Sequence, residues 1–145
     1  MDGLERFVRA QERSYQTALR EMKAGRKRSH WMWYIFPQIS GLGRSETARY
    51  YAIRDGQEAR DYLAHPVLGA RLREITAVLL QLEGGDPTAL MGWPDDMKLK
   101  SSMTLFAIVS GEQLFQAVLE KYFGGQQDGR TQAILRAENG DFFAG

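Results

Sequence analysis

The chain has 145 residues, of which 43% are hydrophobic and 11% aromatic, so it can bury one hydrophobic core. Nineteen basic against eighteen acidic side chains give a net charge of +1. That balance excludes histone-like binding driven by net charge, but not a local charged patch. The sequence contains no cysteine, which excludes a disulfide scaffold, a thiolate zinc site, an iron–sulfur cluster and a cysteine nucleophile. We predict a single domain over 1–145, with a core at about 4–137 and a frayed tail at 138–145.

No stretch of the sequence approaches the roughly 18–20 uninterrupted apolar residues of a membrane span. Residues 1–23 alternate charged and apolar side chains, so they lack the apolar core of a signal peptide. We therefore expect a cytoplasmic protein without membrane contact.

The first predicted helix is amphipathic, with apolar side chains at helical spacing from Leu4 to Met22. Asp2 can cap its start and Gly25 can end it. Residues 31–36 are apolar but too few to show a helical period, and Pro37 ends them. We predict a buried extended or single-turn segment there.

The remaining helices are predicted from capping residues, prolines and glycines. They begin at or near Ser45, Asp55, Pro66, Asp86, Ser101 or Ser102, Glu112 and Asp128. His65 is expected to lie at the start of a helix, and Pro94 is expected to keep residues 93–100 irregular. The sequence predicts an all-α fold: a single compact domain of about seven or eight short and medium helices, without a substantial sheet.

Residues 26–31 (RKRSHW) form the first candidate for ligand binding. Cations beside an aromatic run suit a phosphate or a stacked base, which makes Lys27, Arg28 and Trp31 candidate ligand-binding residues. His30 is a candidate general acid or base because its pKa lies near neutrality. The alternative is structural: cations complement the dipole at the end of a helix, His30 packs, and Trp31 belongs to the core.

Residues 41–45 (GLGRS) form the second candidate, before a short helix. Glycines let backbone N–H groups approach an anion, so Ser45 and the nearby Gln38 are candidate ligand-binding residues. The segment lacks the lysine of a P-loop and the third glycine of a Rossmann turn. The alternative is a tight turn with a serine cap.

Residues 93–104 (WPDDMKLKSSMT) form the third candidate. Asp96 and Lys98 are candidate catalytic residues, since a carboxylate beside an ammonium can transfer protons. Asp95, Ser101 and Ser102 are candidate ligand-binding residues, since a carboxylate in this segment can hold a ribose hydroxyl. The alternative is a surface loop with local ion pairs, worth at most about 1 kcal/mol.

Four segments together resemble a known bacterial family, the domain of unknown function 1810. They are 25–38, 41–45, 62–69 and 94–106, and the resemblance extends from about Leu4 to Thr131. The resemblance implies a compact, mainly α-helical single domain. It implies no activity, because the family has no established one.

We predict that the protein binds, and processes if it is an enzyme, a small anionic nucleotide-like ligand in a pocket formed by the RKRSHW and PDDMKLKSS segments. The enzyme class is then a metal-independent hydrolase. The combination of aromatic, acidic and basic segments is similar, at the level of fold analogy, to small α-helical N-glycosidases of ADP-ribose-type compounds. Two histidines 35 positions apart make a poor zinc site, so we expect neither metal nor cofactor.

The alternative is a non-catalytic module that binds nucleic acid or a protein. It rests on the basic first helix and on Arg26, Lys27 and Arg28. The net charge of only +1 makes nucleic acid the second choice of partner, and the sequence predicts no oligomeric state.

Overall fold

The structure is a computed structural model, and it describes residues 3–140. Within that range the chain forms nine helices. They are α1 (Glu5–Lys23), α2 (Met32–Ile35), α3 (Glu46–Tyr50), α4 (Gly56–Ala64), α5 (Leu68–Gln81), α6 (Pro87–Met91), α7 (Asp95–Ser110), α8 (Gln113–Phe123) and α9 (Gly129–Glu138). The predicted all-α fold is confirmed. The predicted tail beyond 140 and the cap at Asp2 lie outside the described residues.

Short polar side chains start several of these helices, as the sequence predicts. The side chains that accept a first-turn backbone N–H are Ser45, Asp55, Asp86 and Asp128. His65 Nδ1 accepts N–H groups from Val67 and Leu68 at 3.1 and 3.2 Å. This bonding confirms its place at the start of a helix, although α5 begins two residues after Pro66.

The core lies around α7. This helix packs against α4, α6, α8 and α9, while α1 packs against α2 and α5. From Ser101 to Ala107 every residue of α7 is buried, so only its N-terminal half and its last turn reach the surface. The ends of α7 are therefore the parts of this helix that can contribute to a binding site.

The start of α7 corrects the sequence prediction. Residues 93–100 were expected to be irregular because of Pro94, with a helix from Ser101 or Ser102. That expectation is wrong, because α7 begins at Asp95 with Pro94 as its N-cap residue. Proline interrupts a helix interior but is tolerated at its start, where its missing N–H has no intrahelical partner.

The apolar segment after Trp31 is a single helical turn, α2, one of the two forms predicted for it. Trp31 and Phe36 are buried in the core and Trp33 is half-buried. The remaining extended contact is one parallel bridge between Ile39 and Ile53, and residues 3–140 contain no named strand. Among the helices described, none is both long and apolar enough to cross a membrane.

Candidate functional site: a cleft beside Trp93

A cleft of about 410 Å³ opens where three segments meet. The segments are the loop after α2, the first turns of α7, and the start of α9. We call it the Trp93 cleft. Its lining consists of Gln38, Leu42, Gly43, Trp93, Pro94, Met97, Lys98, Ser101, Asp128 and Arg130.

Two large apolar side chains of the cleft are exposed. Trp93 is 78% exposed and Met97 is 48% exposed. They lie four residues apart, Trp93 directly before the N-cap residue Pro94 and Met97 in the first turn of α7. Large exposed apolar groups inside a concavity are typical of ligand sites, because their exposure to water is unfavourable until something covers them.

Two cations lie in the same cleft. Arg130 is exposed and donates to the Gly41 carbonyl at 3.2 Å, and it makes no other hydrogen bond or ion pair with a described residue. Lys98 Nζ lies 3.3 Å from Asp95 Oδ1 and 5.0 Å from the ring centre of Trp33. Arg130 therefore has donors left for an anion, whereas Lys98 shares its charge with a carboxylate.

Asp128 supplies a carboxylate at the opposite wall. Its Oδ2 accepts from the N–H and the hydroxyl of Thr131 at 2.9 and 2.6 Å, and its own N–H donates to Thr104 Oγ1 at 2.8 Å. These bonds fix the residue between α7 and α9. Its Oδ1 makes no hydrogen bond with a described residue and can accept one from a ligand hydroxyl.

Gly43 is needed by the loop that borders the cleft. A Cβ at this position would lie 2.5 Å from the Cβ of Ala48 in α3, and Ser45 accepts the N–H of Ala48 at 3.1 Å. The glycine thus allows close packing against α3, and Ser45 is a helix cap outside the cleft lining. This geometry agrees with the turn-and-cap alternative for residues 41–45.

The RKRSHW segment is folded around a carboxylate that sequence reasoning missed. Glu21 Oε1 accepts the N–H groups of Arg28 and Ser29 and the indole N–H of Trp31, at 2.7, 3.0 and 2.8 Å. Its Oε2 accepts the Ser29 hydroxyl at 2.5 Å. Partial burial alone raises the pKa of Glu21, but these four hydrogen bonds outweigh it and lower the pKa from 4.5 to about 2. We call this arrangement the Glu21 clamp.

The two predicted segments do meet, through an ion cluster. Lys27 Nζ lies 2.9 Å from Asp95 Oδ2, and the other oxygen of Asp95 faces Lys98. Lys27 also lies 5.1 Å from the ring centre of Trp31. The charges that were predicted to bind a ligand are here largely satisfied by one another.

The other polar residues of α7 are also partnered or enclosed. Asp96 is 6% exposed, and its carboxylate accepts from the Thr88 hydroxyl and the Met97 N–H at 2.6 and 2.8 Å. Ser101 donates to the Met97 carbonyl at 3.2 Å. Ser102 is fully buried, and its hydroxyl has no hydrogen-bond partner among the described residues.

Of the residues predicted for the site, Gln38, Lys98 and Ser101 line the Trp93 cleft. The ones outside its lining are Lys27, Arg28, His30, Trp31, Ser45, Asp95, Asp96 and Ser102. Arg28 and His30 are exposed on the loop of the Glu21 clamp. Within residues 3–140, no cluster of acidic or histidine side chains could hold a metal ion.

Sequence reasoning included Trp93 in the third candidate segment but did not choose it as a binding residue, and it missed Arg130 and Asp128 as site residues. A signal for Trp93 was present, because it directly precedes a proline and a charged turn. Asp128 was recognised as a cap only, and Arg130 follows it by two positions. Their convergence on Trp93 depends on the packing of α9 against α7, which the local pattern does not encode.

Comparison with known proteins supports the fold. The chain is similar to the crystal structure of the conserved hypothetical protein Rv1873 from Mycobacterium tuberculosis, with 50% sequence identity and a TM-score of 0.89. The alignment covers 91% of this chain and 95% of that one. The sequence matches no curated protein. The model of the family described as "Protein of unknown function (DUF1810)" matches residues 1–135, and the chain therefore belongs to that family.

Proposed function

We propose that the Trp93 cleft binds a small anionic ligand with a planar ring, of the size of a nucleoside monophosphate. The observation that carries the proposal is the 78% exposed indole of Trp93 in the same concavity as the guanidinium of Arg130. Stacking of a base on an aromatic side chain is worth about 1–3 kcal/mol, and a guanidinium binds phosphate oxygens in a bidentate manner.

The size and polarity of the cleft support the same ligand class. Its volume of about 410 Å³ lies near the lower end of the range for small-molecule sites, about 300–1,000 Å³. Gln38, Ser101 and Asp128 offer amide, hydroxyl and carboxylate groups for the hydroxyls of a sugar. In this arrangement the ring stacks on Trp93 and the phosphate contacts Arg130 and Lys98.

Titration calorimetry with the four nucleoside monophosphates tests the proposal, with inorganic phosphate and the free nucleosides alongside. We expect a monophosphate to bind more tightly than either fragment. The Trp93→Ala and Arg130→Gln variants should each weaken binding about tenfold or more. Arg136→Gln is the matched control, because Arg136 is exposed on the same helix and does not line the cleft. Absence of heat at millimolar ligand, or equal binding by all variants, contradicts the proposal.

A metal-independent hydrolase is the second candidate, favoured by the close pair of Lys98, which lines the cleft, and Asp95, which lies outside its lining. Hydrolysis of an N-glycosidic bond would add water across the bond and release the base. The catalytic roles predicted for His30, Asp96 and Lys98 are proposals that product analysis tests. Chromatography of monophosphates incubated with the protein should show free base, and Lys98→Gln should lose that product. Unchanged ligand after prolonged incubation leaves binding as the function.

A further inference from the structure

A second depression lies next to the Trp93 cleft along the chain, although the two share no lining residue. This depression has a volume of about 460 Å³ and runs along α6 from Thr88 to Gly92, with Arg26 and Lys27 on its other side. It ends at Gly92, and the next residue, Trp93, lines the first cleft. The two depressions are therefore adjacent along the chain, and we call them together the furrow.

A third depression lies toward α1, and from here on the furrow includes it as well. It has a volume of about 330 Å³, shares Ala89 and Leu90 with the second, and reaches Lys23 and Gly25. Exposed cations thus occur along the path from α1 to the Trp93 cleft. A ligand confined to the first cleft would leave these cations unused.

The cations of the furrow are available. Arg26 and Lys23 are exposed, and neither makes an ion pair with a described residue. Arg20 precedes Lys23 by three positions and is exposed on the same face of α1. Lys27 differs, since Asp95 neutralises it. The side chains that can contact phosphates are therefore Arg26 and Lys23, with Arg20 beyond them.

We propose that the furrow binds single-stranded nucleic acid, with one base stacked on Trp93 and the phosphate chain crossing Arg26 and Lys23. This inference rests on the proposed function of the Trp93 cleft. A cationic groove with an exposed aromatic ring is the combination by which proteins hold unpaired strands. A duplex keeps its bases stacked inside, so it offers no base to Trp93.

Acidic residues limit the path of the strand. Glu83 and Asp86 line the third depression but neither of the other two. They repel phosphates there, so the strand leaves the furrow across Lys23 and α1. Contacts of Arg130, Arg26 and Lys23 with three phosphates predict a slope of about −2 for the logarithm of the binding constant against the logarithm of salt concentration.

Fluorescence anisotropy with labelled eight-nucleotide oligo-dT and oligo-rU tests the inference on the full chain, with dTMP and UMP measured by calorimetry. We expect an octamer to bind at least tenfold more tightly than its monophosphate. The double variant Lys23→Gln/Arg26→Gln should lose about tenfold for the octamer and leave monophosphate binding unchanged. Arg60→Gln/Arg136→Gln is the matched control, since both residues are exposed and neither lines the furrow.

The outcomes separate the two proposals. An octamer that binds no more tightly than the monophosphate, or a furrow variant that behaves as the control, overturns the furrow and leaves the Trp93 cleft standing. Failure of both octamer and monophosphate to bind overturns both. Tighter binding of oligo-rU than of oligo-dT supports the furrow with a contact to the 2′-hydroxyl, and equal binding supports it through phosphates and bases alone.

Discussion

Trp31 and Trp93 show opposite uses of the same side chain. Trp31 is 1% exposed, and its indole N–H donates to Glu21. Trp93 is 78% exposed at the rim of a cleft, without a polar partner among the described residues. Both lie within three positions of a charged residue in the sequence. The first therefore stabilises the fold around the Glu21 clamp, and the second is left for a ligand.

The charges around the two tryptophans differ in the same way. Around Trp31, the carboxylate of Glu21 and the ammonium of Lys27 are bound to neighbouring protein groups. Around Trp93, Lys98 is paired with Asp95, but Arg130 contacts only a single carbonyl. A dense cluster of charged and aromatic residues therefore does not by itself indicate a site. The useful observation is which of its groups lack a partner.

The largest expected effect is a difference in the free energy of unfolding between variants of the two tryptophans. Trp31→Ala should lower the free energy of unfolding by about 4 kcal/mol, because it opens a cavity in the core and removes a donor from Glu21. Trp93→Ala should change it by less than about 0.5 kcal/mol. Urea unfolding followed by circular dichroism measures both. Equal losses in the two variants would show that the comparison is wrong.

The Glu21 clamp gives the next largest effect. Glu21→Gln removes the charge from an acceptor of four hydrogen bonds and should lower the free energy of unfolding by about 2 kcal/mol. Glu12→Gln, at an exposed position of α1, is the control and should stay within about 0.5 kcal/mol. If Glu21→Gln is as stable as Glu12→Gln, the Glu21 clamp does not stabilise the fold.

Acid should reduce the effect of the clamp. The pKa of Glu21 is lowered from 4.5 to about 2 in the folded protein, so its stabilisation is complete above about 4.5 and is lost as the pH falls toward 2. The stability difference between the native chain and Glu21→Gln should therefore shrink from pH 5 to pH 3. Urea midpoints at pH 7, 5, 4 and 3 measure it. A difference that stays constant over this range is incompatible with a depressed pKa.

The smallest expected effect concerns the ion cluster. Lys27→Met keeps the apolar stem against Trp31 but leaves Asp95 with Lys98 alone. The expected loss in the free energy of unfolding is about 1 kcal/mol. Lys23→Met is the control, because Lys23 is exposed and makes no ion pair with a described residue. Equal stability of the two variants would mean that the bridge contributes nothing.

Local signals in the sequence were sufficient for most of the fold. A cap such as Asp55 acts within one turn of its helix, so the sequence alone indicates it. The start of α7 was missed because Pro94 is compatible with both a helix start and a helix break, and tertiary packing decides between them.

The site was less predictable because it depends on long-range contacts. We predicted from the sequence that the segments of Lys27 and Asp95 form a ligand pocket together. In the structure the two segments meet, and the contact between them is an ion pair. The apolar run at 31–36 correctly predicted that Trp31 is buried, but no local pattern indicates that Trp93 is exposed or that Glu21 folds the loop back. Arg130 reaches the cleft from α9, which follows α7 by a whole helix and two loops.

The most direct test of the account is a nuclear magnetic resonance titration of the tryptophan indole N–H signals with a nucleoside monophosphate. The Trp93→Ala and Trp31→Phe variants assign the signals by their loss. We predict that the Trp93 signal shifts progressively as ligand is added. The Trp31 signal should not move, because the indole N–H of Trp31 is bonded to Glu21 inside the fold. A shift of Trp31 with Trp93 unchanged, or no shift of either at millimolar ligand, would contradict the account.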